Sequence, residues 1–535
     1  MTILASLLDL VSLASPSPAV SQAPSPSADS GNPPWAAIFA GLGGLFVGVG
    51  AYSAARHSAR SQRQSARETL TQERAHAKQT LAQERTQAKR TLEHERTRAK
   101  RTLEHERTRL FNERFNTAAE LLGHGESACR LGGVHAIAGL ADDWTDRRQT
   151  CIDVLCAYLR MPYPPQPLDD APADKHLGWQ ANREVRHTVI RTIRDHLRPN
   201  TPSGASWSGY DLDFTGAVFD GGDLSGAKFS GGTVNFADAT FASGTVNFAD
   251  ATFASGTVNL AGTTFAGGTV NLAGTTFAGG TVNFAGGMFS GSTVNFAGAT
   301  FSGSTVNFAD ATFASGTVNF ADATFASGTV NLAGATFASG TVNFAGGMFS
   351  GSTVNFAGAK FSGSRVNFAD ATFASGEVSF LDATFASGTV YFAGATFSGG
   401  TVYFAGATFS GSTVNFADAT FASGRVSFLD ATFASGRVNF GATFASGTVY
   451  FAGATFSGST VYFADATFAR NSTVNFNSAT FAGGRVSFLD ARFDGGVVDM
   501  RYVAAWWRPP LFDDGVLTAP PAGLLLPDPI PESTP

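Results

Sequence analysis

A twelve-residue phrase, TVNFADATFASG at residues 245–256 and TVNLAGTTFAGG at residues 257–268, continues with small changes to about residue 493. Self-similarity at so short a fixed period constrains the fold severely. A single unit cannot bury its own apolar face, and it does so only by stacking on its neighbours in a solenoid. Within the phrase V-x-F and A-x-F alternate, so on an extended backbone Val234 with Phe236, and Ala239 with Phe241, point to one side. Asn235 and Thr240 point to the other, and only one face is apolar.

The spacing of the large residues sets the geometry. Phe214, Phe219, Leu224 and Phe229 are five apart; the gaps then alternate seven and five through Phe236, Phe241, Phe248 and Phe253, as far as Phe488 and Phe493. These positions form the expected core ladder. A coil of one phrase would have to enclose two Phe, a Val and an Ala in a layer ~4.8 Å thick, which leaves too little room inside its wall. Two phrases per coil, 24 residues, give about eleven coils and a rod of roughly 50 Å. Asn235, Asn247, Asn259 and their successors are expected to form outward ladders whose side-chain amides bond coil to coil. The interval Phe440 to Phe444 is one residue short and Phe468 to Phe476 one residue long, so the phase returns before Phe481. In VAAWWRPPLF the repeat breaks, and Trp506 and Trp507 are expected to cover the open end.

The five-residue spacing of Phe214 to Phe229, with a small residue two before Phe219, Leu224 and Phe229, resembles the pentapeptide-repeat proteins over about residues 210–500. The resemblance implies a mainly β chain: a right-handed quadrilateral β-helix with each pentapeptide forming one side. The preamble REVRHTVIRTIRDHLRP also resembles that of bacterial members of the family.

The first two hundred residues differ in composition. Residues 1–34 lack Lys and Arg and run into Pro and Ser, as disordered segments do. ILASLLDLVSLA resembles a signal-peptide core, but no basic residue precedes it and it contains Asp9, so cleavage is not expected. Residues 35–55 are uncharged and long enough for a transmembrane helix. Arg56, Arg60, Arg63 and Arg67 follow at once, which by the positive-inside rule predicts a single-pass protein of the cell membrane, C-terminal region cytoplasmic, with anionic lipid headgroups near these arginines. Over residues 56–110 there are 15 Lys and Arg against 7 Glu, a net +8. Leu70, Leu81, Leu92 and Leu103 recur every eleven residues on one helical face, so this stalk is read either as a parallel coiled coil joining a homodimer or as an isolated charged helix. No aromatic residue is interleaved among its charges, which disfavours nucleic acid as a partner. A small helical module over residues 111–163, a Pro-rich linker over 164–181, a capping helix and lead-in over 182–209, the β-helix over 210–500 and a cap with Pro-rich tail over 501–535 complete the organisation.

Little of this suits catalysis. Cys129, Cys151 and Cys156 make no disulfide framework, and Cys151 and Cys156 fit a buried-core role better than metal ligation. His124, His135, His176, His187 and His196 are not at metalloprotease spacing, and no nucleophile elbow or phosphate loop occurs. Between Gly231 and Gly496 there is no His, Cys or Trp, and Glu377 is the only Glu. The expectation is a non-enzymatic scaffold with an unidentified protein partner and no cofactor, metal or small-molecule substrate. Two alternatives carry less weight. Some pentapeptide-repeat proteins mimic duplex DNA and protect DNA gyrase, but the repeat holds 11 Asp and 1 Glu against 1 Lys and 6 Arg, a net of only -5. Ice binding by the Thr ladder at Thr245, Thr257 and Thr269 is interrupted by Arg365, Glu377, Arg425 and Arg437.

Overall fold

A computed structural model describes residues 47–199 and 204–528. The chain divides into two compact units, Met1–Thr102 and Leu103–Pro535. Helix α1 (Val47–Leu122) supplies the described part of the first unit. Along it Leu70, Leu81 and Leu92 are half exposed and separated by charged turns. The membrane span expected at residues 35–55 lies outside the described residues up to residue 46, and residues 47–55 open α1. No helix among the described residues is long and apolar enough to cross a membrane. The expected single-pass membrane localisation is corrected accordingly: the described end of the expected span, residues 47–55, continues without a break into a helix that from Arg56 onward is charged on almost every turn. Arg56, Arg60, Arg63 and Arg67 lie exposed on this helix.

The second unit starts with the end of α1, followed by α2 (Ser127–Asp143), α3 (Arg148–Arg160) and α4 (Ala173–Leu197). Their apolar stripes meet in a core containing Phe111, Ile137, Ile152, Leu155, Val189 and Ile193. Cys151 and Cys156 are buried there as free thiols. Burial pushes the Cys151 thiol up to about 11 and raises that of Cys156 as well, so both stay protonated and unreactive.

From Leu212 the chain winds as a solenoid. Within the array, strands pair in parallel with the strand two phrases further on, as Thr245, Val246 and Asn247 do with Thr269, Val270 and Asn271. Each coil has four sides in chain order: side one (Thr240–Phe241 and equivalents), side two (Thr245–Asn247), side three (Thr252–Ala254) and side four (Thr257–Asn259). Side one is a ladder of 13 strands and side two of 12, while sides three and four join in a 22-stranded sheet. The rod is therefore about two coils longer than the repeat count alone implies, because Val218–Phe219 before the array and Ala505–Trp506 after it also join side one. The first coil is shorter, with Leu212 pairing to Val234, because a side with five-residue spacing stands where later coils have seven.

Phe214, Phe219, Leu224, Phe229, Phe236, Phe241, Phe248 and Phe253 are all buried. Phenylalanines stack in four columns: Phe284 on Phe308 at 4.5 Å, Phe289 on Phe313 at 4.7 Å, Phe296 on Phe320 at 4.6 Å and Phe301 on Phe325 at 4.8 Å. Across the bore the columns behind sides two and four meet edge to face, as Phe308 does with Phe320 at 6.0 Å and 90°. Where one coil has Leu260 and Leu272 instead of Phe, Thr263 and Thr275 replace the neighbouring alanines, and their buried hydroxyls donate to the carbonyls of Phe236 and Phe248.

The corners carry the polar order. Asn259 Nδ2 donates to Asn235 Oδ1 at 3.0 Å, and the same bond repeats along side four to Asn355 and along side two to Asn367. Each Oδ1 also accepts from the main-chain N–H two residues on, as Asn307 does from Ala309. Three residues after most of these Asn positions the chain turns through Asp, Gly or Ser at positive φ, 56° at Asp238, with Ala239 N–H donating to Phe236 O as in a type II turn. The short interval is absorbed at one such turn, where Ala442 N–H bonds directly to Phe440 O. The long one is absorbed as a register shift opposite Phe444 and Ser446.

Both ends are closed. At the first coil Asp220 accepts from Tyr163 Oη at 2.6 Å and Arg183 Nε at 3.1 Å, with His187 Nε2 at 3.2 Å. Arg186 and Arg198 donate to the carbonyls of Val218 and Ser225, and Arg194 pairs with Asp223. The basic face of α4 thus satisfies the open edge of the first coil. At the last coil Trp506 is buried against Phe481, and Phe512 stacks on Phe488 at 5.0 Å. Trp507 is 58% exposed, so one tryptophan covers the end rather than the expected two. The closing strand Leu524–Leu525 pairs with Val498 and Asp499.

Two outcomes follow from these contacts. Asn307→Ala removes two links of an Asn ladder and one turn cap, and should lower stability by about 1–3 kcal/mol in a denaturant titration; an unchanged midpoint would show the ladder to be energetically idle. Burial pushes the Asp220 carboxyl up, but hydrogen bonds from His187 and Tyr163 outweigh it and hold the group below its ordinary value. Its contribution is present above the unfolded value of about 3.9 and disappears as the pH falls through the lower folded value. Asp220→Asn should therefore destabilise the protein at pH 7 and converge with the parent in melts towards pH 3.

Candidate interaction surface

Several titratable groups of the helical module are engaged in structure. His187 faces Asp220, and His196 lies between Asp142 at 3.2 Å and the Trp207 ring stacked on it at 4.1 Å. Tyr163 is bonded to Asp220, and burial together with that bond raises its phenol. Among the described residues no group of three or more His, Cys, Asp and Glu is placed to hold a metal ion.

The surface of the rod consists of the outward positions of each side. On sides two and four these are two columns, the Thr and the Asn of T-V-N, and over the first coils of the array both stay almost unchanged. In later coils they change character. On side two Arg365, Arg437 and Arg485 occupy the Thr column, and Tyr391 and Tyr462 the Asn column. On side four Glu377 and Arg425 occupy the Thr column, and Tyr403 and Tyr450 the Asn column.

The coil brings these residues together in a way that linear spacing hides. Arg365 and Tyr391 are separated by more than one full coil of chain, yet the parallel register lays the guanidinium 6.0 Å from the ring centre. Arg437 and Tyr462 repeat the contact at 5.8 Å, and Arg425 and Tyr450 on side four at 5.6 Å. A ring beneath each guanidinium restricts its rotamers without using its N–H donors. Sequence reasoning counted these arginines as interruptions of the Thr ladder and did not pair them with tyrosines; a Thr to Arg change followed one coil later by an Asn to Tyr change was the available signal.

Residues 214–258 match the family model for pentapeptide repeats (9 copies). No curated protein matches the chain. Among solved structures QnrB1, described as a plasmid-mediated fluoroquinolone resistance protein, is similar at 16% identity over 44% of this chain and 92% of that one. The TM-score is 0.16, a level at which no common arrangement is established. The five-residue spacing from Phe214, the parallel four-sided coils and the family match agree that residues 214–258 are pentapeptide repeats.

Proposed function

We propose that the protein is a non-enzymatic scaffold that presents the outward faces of its β-solenoid to protein partners. One observation carries this reading: the buried positions of the array are nearly invariant, whereas the outward columns of sides two and four change from Thr and Asn to Arg, Tyr and Glu in the later coils. Arg and Tyr are side chains that dominate protein interfaces, and here they stand on a rigid support. Duplex mimicry has less support. Mimicry needs dense, regular negative charge; here acidic turn residues are widely spaced, and all seven Lys and Arg between Gly231 and Gly496 fall at or after Lys360.

The test uses the full chain carrying a photo-crosslinking residue at one outward position per side: Thr408, Thr413, Thr420 or Thr401. Crosslinks to the same protein from one or two sides, and not from the others, are expected. Absence of any crosslinked protein from all four sides would remove the scaffold reading. In parallel, micromolar protein should leave gyrase supercoiling unchanged; inhibition or protection there would restore the mimic.

A further inference from the structure

Sides two and four diverge in the same stretch but not with the same charge. On side two, from Thr245 to Ser487, neither outward column contains an acidic residue, and Arg365, Arg437 and Arg485 are exposed. Side four balances Arg425 with Glu377. Among the described residues no carboxylate or carbonyl accepts from the guanidinium groups of the three side-two arginines. Two of them lie over tyrosine rings, so their donors are held outward and free for an acceptor.

Building on the scaffold reading, we infer that side two, between Arg365 and Arg485, is a docking strip for an acidic segment of a partner protein. Register places Arg437 three coils beyond Arg365 and Arg485 two coils beyond Arg437. At ~4.8 Å per coil the guanidiniums lie roughly 14 and 10 Å apart along the rod. A partner strand at ~3.3 Å per residue spans that length in about seven residues, and its alternate side chains, ~6.6 Å apart on one face, bring carboxylates within side-chain reach of the three arginines. Tyr391 and Tyr462 sit between the charges and offer apolar area with a hydroxyl, the mixture that anchors a peptide.

The edge of the strip distinguishes a protein from a nucleic acid. The corner that follows side two carries exposed Asp370, Asp418, Asp465 and Asp490. This row of carboxylates runs beside the arginine column and repels a continuous phosphate backbone, whereas a protein segment can place neutral or basic side chains against it. Charge patterned as a positive stripe with a negative margin selects a partner with the opposite pattern.

The full chain is tested with a photoreactive peptide of about sixteen residues, glutamate alternating with serine, and adducts are mapped by mass spectrometry so that the basic part of α1 is read separately. The variant R365T/R437T/R485T restores the residue that other coils carry at these positions, so it keeps the fold, which circular dichroism checks. Adducts are expected on side two in the parent, reduced at least about tenfold in the triple variant and within twofold of the parent in Arg425→Thr. Equal labelling of parent and triple variant, or labelling confined to α1, overturns the strip. A single-stranded oligonucleotide of equal charge that displaces the peptide more effectively overturns the assignment to a protein partner. Adducts that fall on side four or another side refute side two while leaving the scaffold reading intact; that reading fails separately, if none of the four crosslinking positions captures a protein.

Discussion

The rest of the rod depends on one coincidence of length. Strands in a parallel sheet lie about 4.8 Å apart, and aromatic rings in contact lie at nearly the same separation. A phenylalanine above its counterpart in the preceding coil therefore satisfies the ring and the ladder together, as Phe356 and Phe380 do at 4.7 Å with ring planes 2° apart. Any change in coil length would tilt the rings or shear the strands. This explains why the short interval after Phe440 and the long one after Phe468 are both taken up at corners, while Phe440 still stacks on Phe463 at 5.0 Å and Phe463 on Phe488 at 4.5 Å.

A second constraint acts between neighbouring coils at the corners that precede sides two and four, where there is room for one side chain but not for two in succession. Ser292, Ser304, Ser352, Ser364 and Ser412 are each followed one coil later by a glycine. A Cβ on Gly316 would come within 2.1 Å of the Ser292 carbonyl oxygen, and Gly316 has φ of 91°. Aspartates at the turns follow a related pattern: a Cβ on Gly262 would meet Asp238 Oδ1 at 2.4 Å, and on Gly346 would meet Asp322 Oδ1 at the same distance. The array is therefore not a free repetition of one phrase. Its small variations are correlated from each coil to the next, as stacked coils demand and as a string of independent units would not.

What the sequence disclosed follows from how local each cause is. The apolar period, the two-phrase coil and the inward face of Phe236 and Phe241 arise from side-chain size and backbone alternation, both visible in a few residues. The ends were less legible. Nothing in REVRHTVIRTIRDHLRP announces that Arg186 and Arg198 would donate to main-chain carbonyls of the first coil, because those acceptors exist only once the strand edge has formed. Trp506 and Trp507 look equivalent in sequence, but on a strand successive residues face opposite ways, so one packs on Phe481 and the other faces solvent. Residues 35–55 are uncharged and of spanning length, yet the part of them that is described belongs to a long helix dominated by charge.

The same local view hid the surface. Each Arg or Tyr departure looks like an isolated lapse in a Thr or Asn column, and only the coil shows that Arg365 and Tyr391, or Arg437 and Tyr462, are neighbours. Outward positions are free of the packing rules that fix the interior, so drift alone would scatter changes over all four sides. Sides one and three stay mainly threonine, with exceptions such as Met288, Lys360, Met348 and Arg492, whereas sides two and four acquire guanidinium and phenol groups one coil apart. Packing does not demand that pairing, since the early coils stack with Thr and Asn alone. The proposed scaffold role would account for it, because a guanidinium backed by a ring improves the surface for a partner while leaving the core beneath it as it was.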